Sequence, residues 1–273
     1  MNGLDNSSIT RVRPVFQQLI HRSSNKWLSD ILDICPGAYS KDLINNTGSI
    51  IIELTKYRKY KDRILRQLGS DFDPIDLEAC FEYSLEPPID FLNWLIKYPD
   101  KLVWPKGKKY CEFTQNKRVK LIARDKAVQQ EAFSELIKHG PKKSKFKWWA
   151  FEGFTEVDCL IETETLVLGF EGKRKEGGPK DSTDWYPERN QIVRNIEALK
   201  QIANGKHYAV VLIEENSTIL SSDIFYKSLP HKTQQESDLL MSHYLGSITW
   251  KDICGNTGLD YDSLPNDITD LLL

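Results

Sequence analysis

The sequence predicts a mixed α/β fold, in which helices pack on a sheet. Three observations lead to this prediction. Residues 155–162 alternate apolar and polar side chains, residues 166–170 are apolar throughout, and the flanking segments carry apolar residues at helical spacing. The 273 residues can bury a sizeable core, and 40% hydrophobic with 28% charged residues is typical of a globular protein.

The first hundred residues are predicted to be helical. Apolar residues recur three and four positions apart over 27–34, 42–68 and 89–96. A turn-rich stretch, Trp104-Pro105-Lys106-Gly107, follows them. We therefore expect a mainly helical N-terminal region over residues 1–115, and this region contains no constellation typical of a catalytic site.

The central part should contain a helix and then strands. Residues 125–139 form an amphipathic pattern with Asp125 as N-cap and Gly140-Pro141 as the stop. Residues 145–151 are predicted as a first strand. Within 155–162, Val157, Cys159 and Ile161 should share one face and Asp158 the other.

A hairpin through residues 163–165 would bring Asp158 beside Glu171. Because side chains alternate along a strand, Lys173 should share the face of Glu171. A helix is then expected from about residues 184–187 to Asn204-Gly205, followed by a strand over 206–214. The predicted order over residues 116–220 is helix, three strands, helix, strand.

Residues 221–273 should form an acidic, helical C-terminal extension that packs on this core. Residues 211–273 hold ten Asp and Glu against three Lys and Arg. Helical segments are predicted over 231–244 and 247–254.

Asp158, Glu171 and Lys173 are spaced as D-x12-E-x-K. This spacing resembles the motif of the PD-(D/E)XK nuclease superfamily, over roughly residues 125–215, although Val157 stands where the motif has Pro. The resemblance implies a restriction-endonuclease-like sandwich in the order α-β-β-β-α-β. It also implies hydrolysis of phosphodiester bonds in nucleic acid, with DNA as the leading candidate.

The donor set suits a hard divalent cation. Asp158, Glu171 and the carbonyl of Gly172 are the expected ligands of Mg²⁺, for which Mn²⁺ would substitute. Lys173 would act on the attacking water or on the developing charge. No Cys or His stands at ligand spacing, which argues against zinc.

The resemblance also assigns supporting residues. Glu131 on the first core helix would assist catalysis, with Glu135 as its rival. Gln191, Arg194 and Asn195 fall on one helix face, where Gln191 and Arg194 would act in catalysis and position phosphate. The expected substrate contacts are Asn195, Lys142, Lys143, Lys145 and Arg174.

The formal net charge of −2 conceals an uneven distribution. Residues 101–150 hold fourteen Lys and Arg against four Asp and Glu. This segment would either follow a phosphate backbone or form a solvated surface. The expected partner is nucleic acid; alternatives are a non-catalytic nucleic-acid-binding module and a protein-interaction component.

The sequence carries no apolar run of membrane-spanning length and no secretory h-region at its start. Its five cysteines are scattered, which fits a reduced cytoplasm. A membrane partner is therefore not expected. The oligomeric state stays open, with a homodimer among the options.

Overall fold

The structure is a computed structural model that describes residues 7–45, 47–49, 83–141, 147–174, 183–267 and 270. The helices are α1 (Arg13–Ile20), α2 (Lys26–Ile34), α3 (Tyr39–Ile44), α4 (Ile89–Lys97), α5 (Glu112–Ile122), α6 (Lys126–His139), α7 (Gln191–Ala203), α8 (Ser222–Ser228), α9 (Gln234–Ser242) and α10 (Trp250–Thr257). A π-helical turn, Ser8–Val12, leads into α1. The strands are β1 (Tyr83–Leu85), β2 (Thr155–Val157), β3 (Cys159–Glu162), β4 (Leu166–Gly172), β5 (His207–Glu214) and β6 (Tyr244–Thr249).

The larger sheet has four strands in the order β3-β4-β5-β6. Strands β3 and β4 form an antiparallel hairpin, whereas β4, β5 and β6 run parallel to one another. Helix α7 connects β4 to β5, as a parallel pair requires a crossover. Strands β1 and β2 form a separate antiparallel pair. The mixed α/β class predicted from the sequence is confirmed.

Each face of the larger sheet is covered by helices. Leu168, Phe170 and Val211 pack with residues of α1, α2 and α10 on one face. On the other face, Val167 and Leu212 pack with α7 and with residues of α8 and α9. Since both faces are buried, β4 and β5 are apolar almost throughout, as a sandwiched parallel pair should be.

A third apolar cluster lies apart from these two. It joins α4, α5 and α6, and its aromatic members include Trp148, Trp149, Phe151 and Trp185. The prediction of a strand over residues 145–151 was wrong for the described part, 147–151, which forms a turn at Trp148 and Trp149. Both indoles are buried in the third cluster, so packing in that cluster explains the apolar run.

The chain also breaks the predicted strand over 155–162 at Asp158. Val157 packs on the α7 side of the sheet, while Cys159 and Ile161 pack on the opposite side. The expectation that these three share one face was therefore wrong. The bend at Asp158 changes which side of the backbone faces the core.

Helix boundaries follow capping side chains. Asp125 accepts hydrogen bonds from the N–H groups of Ala127 and Val128, as predicted. Helix α7 begins at Gln191 with Asn190 as its cap, later than the predicted start near 184–187.

At the C-terminal end, residues 247–249 belong to β6, not to the predicted helix. Helix α10 begins only after Thr249, whose hydroxyl forms a capping box with Asp252. Most of the helix predicted over 42–68 lies outside the described residues. Among the residues described, no helix has the length and apolar character needed to cross a bilayer.

Candidate functional site

The ends of β3 and β4 bring two carboxylates together. Cys159 pairs with Phe170 across the hairpin, so the preceding Asp158 lies opposite Glu171. Asp158 is only 9% exposed and Glu171 1%. The hairpin expected from the sequence thus produces a nearly buried pair of acids.

Asp158 is held through both of its oxygens. Its Oδ1 accepts a hydrogen bond from Ser8 Oγ at 2.8 Å, and its Oδ2 accepts one from the Gly172 N–H at 2.8 Å. The second bond ties the bend before β3 to the end of β4. A carboxylate has about four lone-pair sites, so both oxygens keep acceptor capacity.

Glu171 is also contacted on both oxygens. Lys173 Nζ lies 2.5 Å from Oε1, and Asn195 Nδ2 donates to Oε2 at 3.1 Å. The Asn195 side chain is fixed in turn, because its Oδ1 accepts from Thr155 Oγ1 at 2.5 Å. A chain of buried hydrogen bonds therefore runs from β2 through α7 to the carboxylate.

The electrostatics of the pair are unbalanced. Burial, and then the neighbouring Asp158, raise the pKa of Glu171 to about 8, against the opposing effects of Lys173 and Asn195. Two close carboxylates disfavour each other's ionised form, and burial adds to this. A bound cation would stabilise the ionised form of both carboxylates.

Lys173 places its ammonium against the Glu171 carboxylate. The backbone N–H of Lys173 donates to the Ile213 carbonyl at 2.7 Å. The backbone carbonyl of Lys173 accepts from Trp250 Nε1 at 2.9 Å. The side chain is 13% exposed and lies against Glu171. The backbone on which the lysine stands is thus fixed by β5 and α10.

The N-terminal segment, residues 7–12, contacts the site through Ser7 and Ser8. Ser7 Oγ donates to the Gly172 carbonyl at 2.8 Å, next to the bond between Ser8 and Asp158. Neither serine was predicted from the sequence. They lie 165 and 150 positions from their partners, and no local pattern marks such a contact.

Helix α7 contributes Asn195 to the site, but Arg194 is engaged elsewhere. Arg194 Nε donates to Glu152 Oε1 at 3.0 Å, and Nη2 donates to the carbonyls of Gly153 and Phe154. The Arg194 side chain therefore binds the turn before β2, and these hydrogen bonds do not include Glu171. Gln191 is the half-buried first residue of the helix.

The expected role of Asn195 as a substrate contact also changes. Asn195 is fully buried and binds Glu171 and Thr155, so it positions a carboxylate.

Glu152 is a further residue that the sequence analysis missed. Its second oxygen accepts from Nε of the fully buried Arg189 at 2.8 Å. Arg189 also lies 2.5 Å from Glu197 and donates to the Ser228 carbonyl at 2.8 Å. This network fixes the start of α7, and with it the position of Asn195.

Glu131 does not join the acid pair. It forms an ion pair with Lys117 on α5, and the rival Glu135 lies 3.5 Å from His139 on its own helix. The reason is the packing of α6, which belongs to the third cluster. The face of the sheet opposite α7 is covered by α1, α2 and α10, and Ser8, which lies just before α1, donates to Asp158.

Arg174 is occupied as well. It donates to the carbonyl of Asn266 and lies 3.5 Å from both Thr10 Oγ1 and Glu215 Oε1. Its side chain is 6% exposed, so the structure gives it a structural role in place of the predicted substrate contact. Lys142, Lys143 and Lys145 lie outside the described residues.

A second group of possible ligands consists of Asp90, Glu197 and His231. His231 Nε2 lies 2.8 Å from Glu197 and 3.9 Å from Asp90. Two cations already neutralise these acids, because Arg189 pairs with Glu197 and Lys232 pairs with Asp90. The charge balance of this group therefore requires no metal ion.

The pair Asp158–Glu171 fits a hard cation better. Its donors are carboxylate oxygens and the Gly172 carbonyl, which suit Mg²⁺ and Mn²⁺. Burial first, and then the charge of Asp158, raise the pKa of Glu171, and Lys173 and Asn195 offset these effects only in part.

Comparisons with known proteins give no match: no protein-family model, no curated protein and no solved structure matches this chain.

Proposed function

We propose that the chain is a Mg²⁺-dependent nuclease that hydrolyses phosphodiester bonds, with DNA as substrate. One observation carries the proposal: Asp158 and Glu171 meet at the end of a hairpin with Lys173 against them. A buried pair of acids beside a lysine has no packing purpose that an apolar set would not serve better. Perturbed carboxylates of this kind cluster at functional sites.

The order of the secondary-structure elements supports the same hypothesis of a nuclease. A hairpin, a crossover helix and a parallel strand follow one another in β3, β4, α7 and β5. We propose that they form a restriction-endonuclease-like core of the PD-(D/E)XK kind. The covering helix of the opposite face is then α1 and not α6.

Each residue has a defined task in this proposal. Asp158, Glu171 and the Gly172 carbonyl hold the ion, which supplies a polarised phosphate and an acidified water when bound. Lys173 orients or deprotonates the attacking water, or stabilises charge on the phosphate. Asn195 fixes the rotamer of Glu171, and Ser8 fixes that of Asp158.

A cleavage assay tests the proposal. Wild type, Asp158→Ala and Lys173→Ala are incubated with circular plasmid and with linear single- and double-stranded DNA, in Mg²⁺, Mn²⁺ or EDTA. Lys120→Ala, an exposed lysine on α5, is the control for loss of one positive charge. We expect cutting by wild type and by the control only when metal is present. An inert wild type in all metals would contradict the proposal, as would undiminished cutting by both site variants.

A second candidate is binding of nucleic acid without cleavage. It is favoured by the fact that all four carboxylate oxygens of the pair already accept protein hydrogen bonds. This alternative predicts salt-sensitive binding that ignores metal and survives Asp158→Ala.

A further inference from the structure

Arg118 on α5 is a buried cation without an acidic partner among the described residues. It is 5% exposed. Its Nε donates to the Trp148 carbonyl at 2.8 Å, and its Nη2 donates to the Ala150 carbonyl at 3.3 Å. Its Nη1 makes no well-aligned hydrogen bond in the part of the chain that is described, although the Tyr110 side chain lies close enough to stabilise its charge. A buried donor without a well-aligned acceptor is destabilising, and more so when it is charged.

Three aromatic rings surround this guanidinium. Its Cζ lies 4.5 Å from the centre of the Tyr110 ring, 4.6 Å from that of Trp185 and 5.3 Å from that of Phe151. Cation–π contacts of this kind offset part of the cost of burial. They hold the charge in place but do not neutralise it, and burial lowers the pKa of Arg118 in spite of the opposing effect of Tyr110.

Arg118 lines a cleft of about 410 Å³. This volume lies within the range of ~300–1,000 Å³ that is usual for small-ligand sites. Among the described residues that line it, the cleft has two more cations, Lys108 and Arg194, and one acid, Asp184. Arg194 is already bound to Glu152, and Lys108 is paired with Asp184 at the rim.

We propose that this cleft binds a phosphate group. A phosphate group in the cleft would neutralise the charge of the Arg118 guanidinium, and Lys108 would exchange Asp184 for the phosphate. The group would belong either to a nucleic-acid strand or to a free nucleotide. The proposal does not depend on the nuclease function, because the cleft shares no residue with the pair Asp158–Glu171.

The two sites are nevertheless neighbours along α7. Arg194 lines the cleft, and the next residue, Asn195, holds Glu171. If the phosphate comes from a strand, the cleft would hold a part of the strand away from the bond that is cut.

Calorimetric titrations in EDTA and low salt test the proposal without any metal-dependent step. The probes are orthophosphate, a nucleoside 5′-monophosphate and a short single-stranded oligonucleotide. We expect Arg118→Met and Lys108→Met to weaken binding by about tenfold, the loss of one charge-assisted contact. Asp184→Asn should tighten binding several-fold, because it removes the acid that the described lining contains, and a folding defect would not produce that gain.

Lys120→Met is the matched control. Lys120 stands two positions from Arg118 on the same helix but is exposed and outside the cleft, so its loss should leave binding unchanged. If Arg118→Met fails to fold, the two rim variants decide the question. An oligonucleotide that binds about tenfold more tightly than the monophosphate identifies a strand as the source, and equal affinities identify a free phosphate. Absence of binding by all three probes would overturn the proposal, as would binding that neither rim variant changes.

Discussion

Glu171 shows at the level of one side chain how the site differs from ordinary core. Its carboxylate is almost fully buried, and its two contacts, Lys173 and Asn195, stabilise the charged form. Burial and the adjacent Asp158 act in the opposite direction and prevail, which raises the pKa of Glu171 to about 8. The protein therefore holds a proton near neutral pH that the unfolded chain would release.

The first prediction concerns stability against pH in the absence of metal. The pKa of Glu171 is about 8 in the folded protein and 4.5 in its reference state. Between these values the folded state binds more protons than the unfolded state, so the free energy of unfolding should fall as pH rises from about 5 to 8. The contribution of one group is at most about 1.4 kcal/mol per pH unit.

Urea unfolding of wild type and Glu171→Gln at several pH values measures this effect. The amide imitates the protonated acid, so the variant should lose the part of the slope that belongs to Glu171. Equal slopes in the two proteins would contradict the assignment.

The second prediction concerns Ser8. Its hydroxyl donates to Asp158 Oδ1, an oxygen that we propose as a metal ligand. Ser8→Ala removes this competing bond, and a hydrogen bond to a charged group is worth about 1.5–3 kcal/mol. Mn²⁺ should therefore bind the variant at least about tenfold more tightly in calorimetry.

Ser29→Ala is the control, because Ser29 is half-buried on α2 and its hydroxyl donates to the Lys26 carbonyl of its own helix. Weaker Mn²⁺ binding by Ser8→Ala would mean that the hydroxyl assists the ion and does not compete with it.

Local sequence spacing predicted the residues that share a strand, but not those that reach the site from elsewhere. The predicted hairpin places Asp158 opposite Glu171, although the alternation expected along residues 155–162 fails at the bend at Asp158. Ser8 reaches Asp158 across 150 positions, which no spacing rule contains.

The functional tasks of helix residues were equally hard to predict. Arg194 and Asn195 are adjacent on α7, yet only Asn195 contacts Glu171. Arg194 instead pairs with Glu152, which lies in a loop that the sequence pattern does not place.

At the scale of elements, the packing of the N-terminal segment against β4 determines how the site is closed. Gly172 lies beneath this segment, and a Cβ there would overlap the side chain of Val12 and lie 2.9 Å from Trp250. The glycine thus permits the π-helical turn and α10 to approach the strand closely. No such contact surrounds Gly153, where a Cβ would meet no atom within 4 Å.

The third prediction follows from this contrast. Gly172→Ala should destabilise the protein by roughly 1–3 kcal/mol, the usual cost of overpacking. Gly153→Ala should leave thermal stability nearly unchanged. If Gly172→Ala left the stability unchanged, Val12 and Trp250 would move aside easily, and the N-terminal segment would not be tightly packed against β4.

Elements with one clear period were predictable, and those that depend on distant partners were not. Strand β5 and helix α2 have consistent apolar patterns and appear where expected. Strand β6 was predicted partly as helix. It forms because it pairs with β5, and a local sequence pattern does not show that pairing.

At the scale of the whole molecule, one four-stranded sheet separates two helical layers, and a third cluster lies beside them. The candidate metal site lies at one end of the sheet, and the proposed phosphate cleft lies where the third cluster meets α7. The basic segment 101–150 thus belongs largely to the third cluster. Parts of its charge serve internal contacts, as in the pair of Lys117 with Glu131.

The most direct test of the account asks where a divalent ion binds. Mn²⁺ binding, counted by electron paramagnetic resonance, is compared among wild type, Asp158→Asn, Glu171→Gln, Glu131→Gln and His231→Ala. We predict one Mn²⁺ site that is lost or strongly weakened in the first two variants. It should persist in the last two, because Glu131 pairs with Lys117 and His231 belongs to the neutralised group. A site that survives both Asp158→Asn and Glu171→Gln but disappears with His231→Ala would contradict the account.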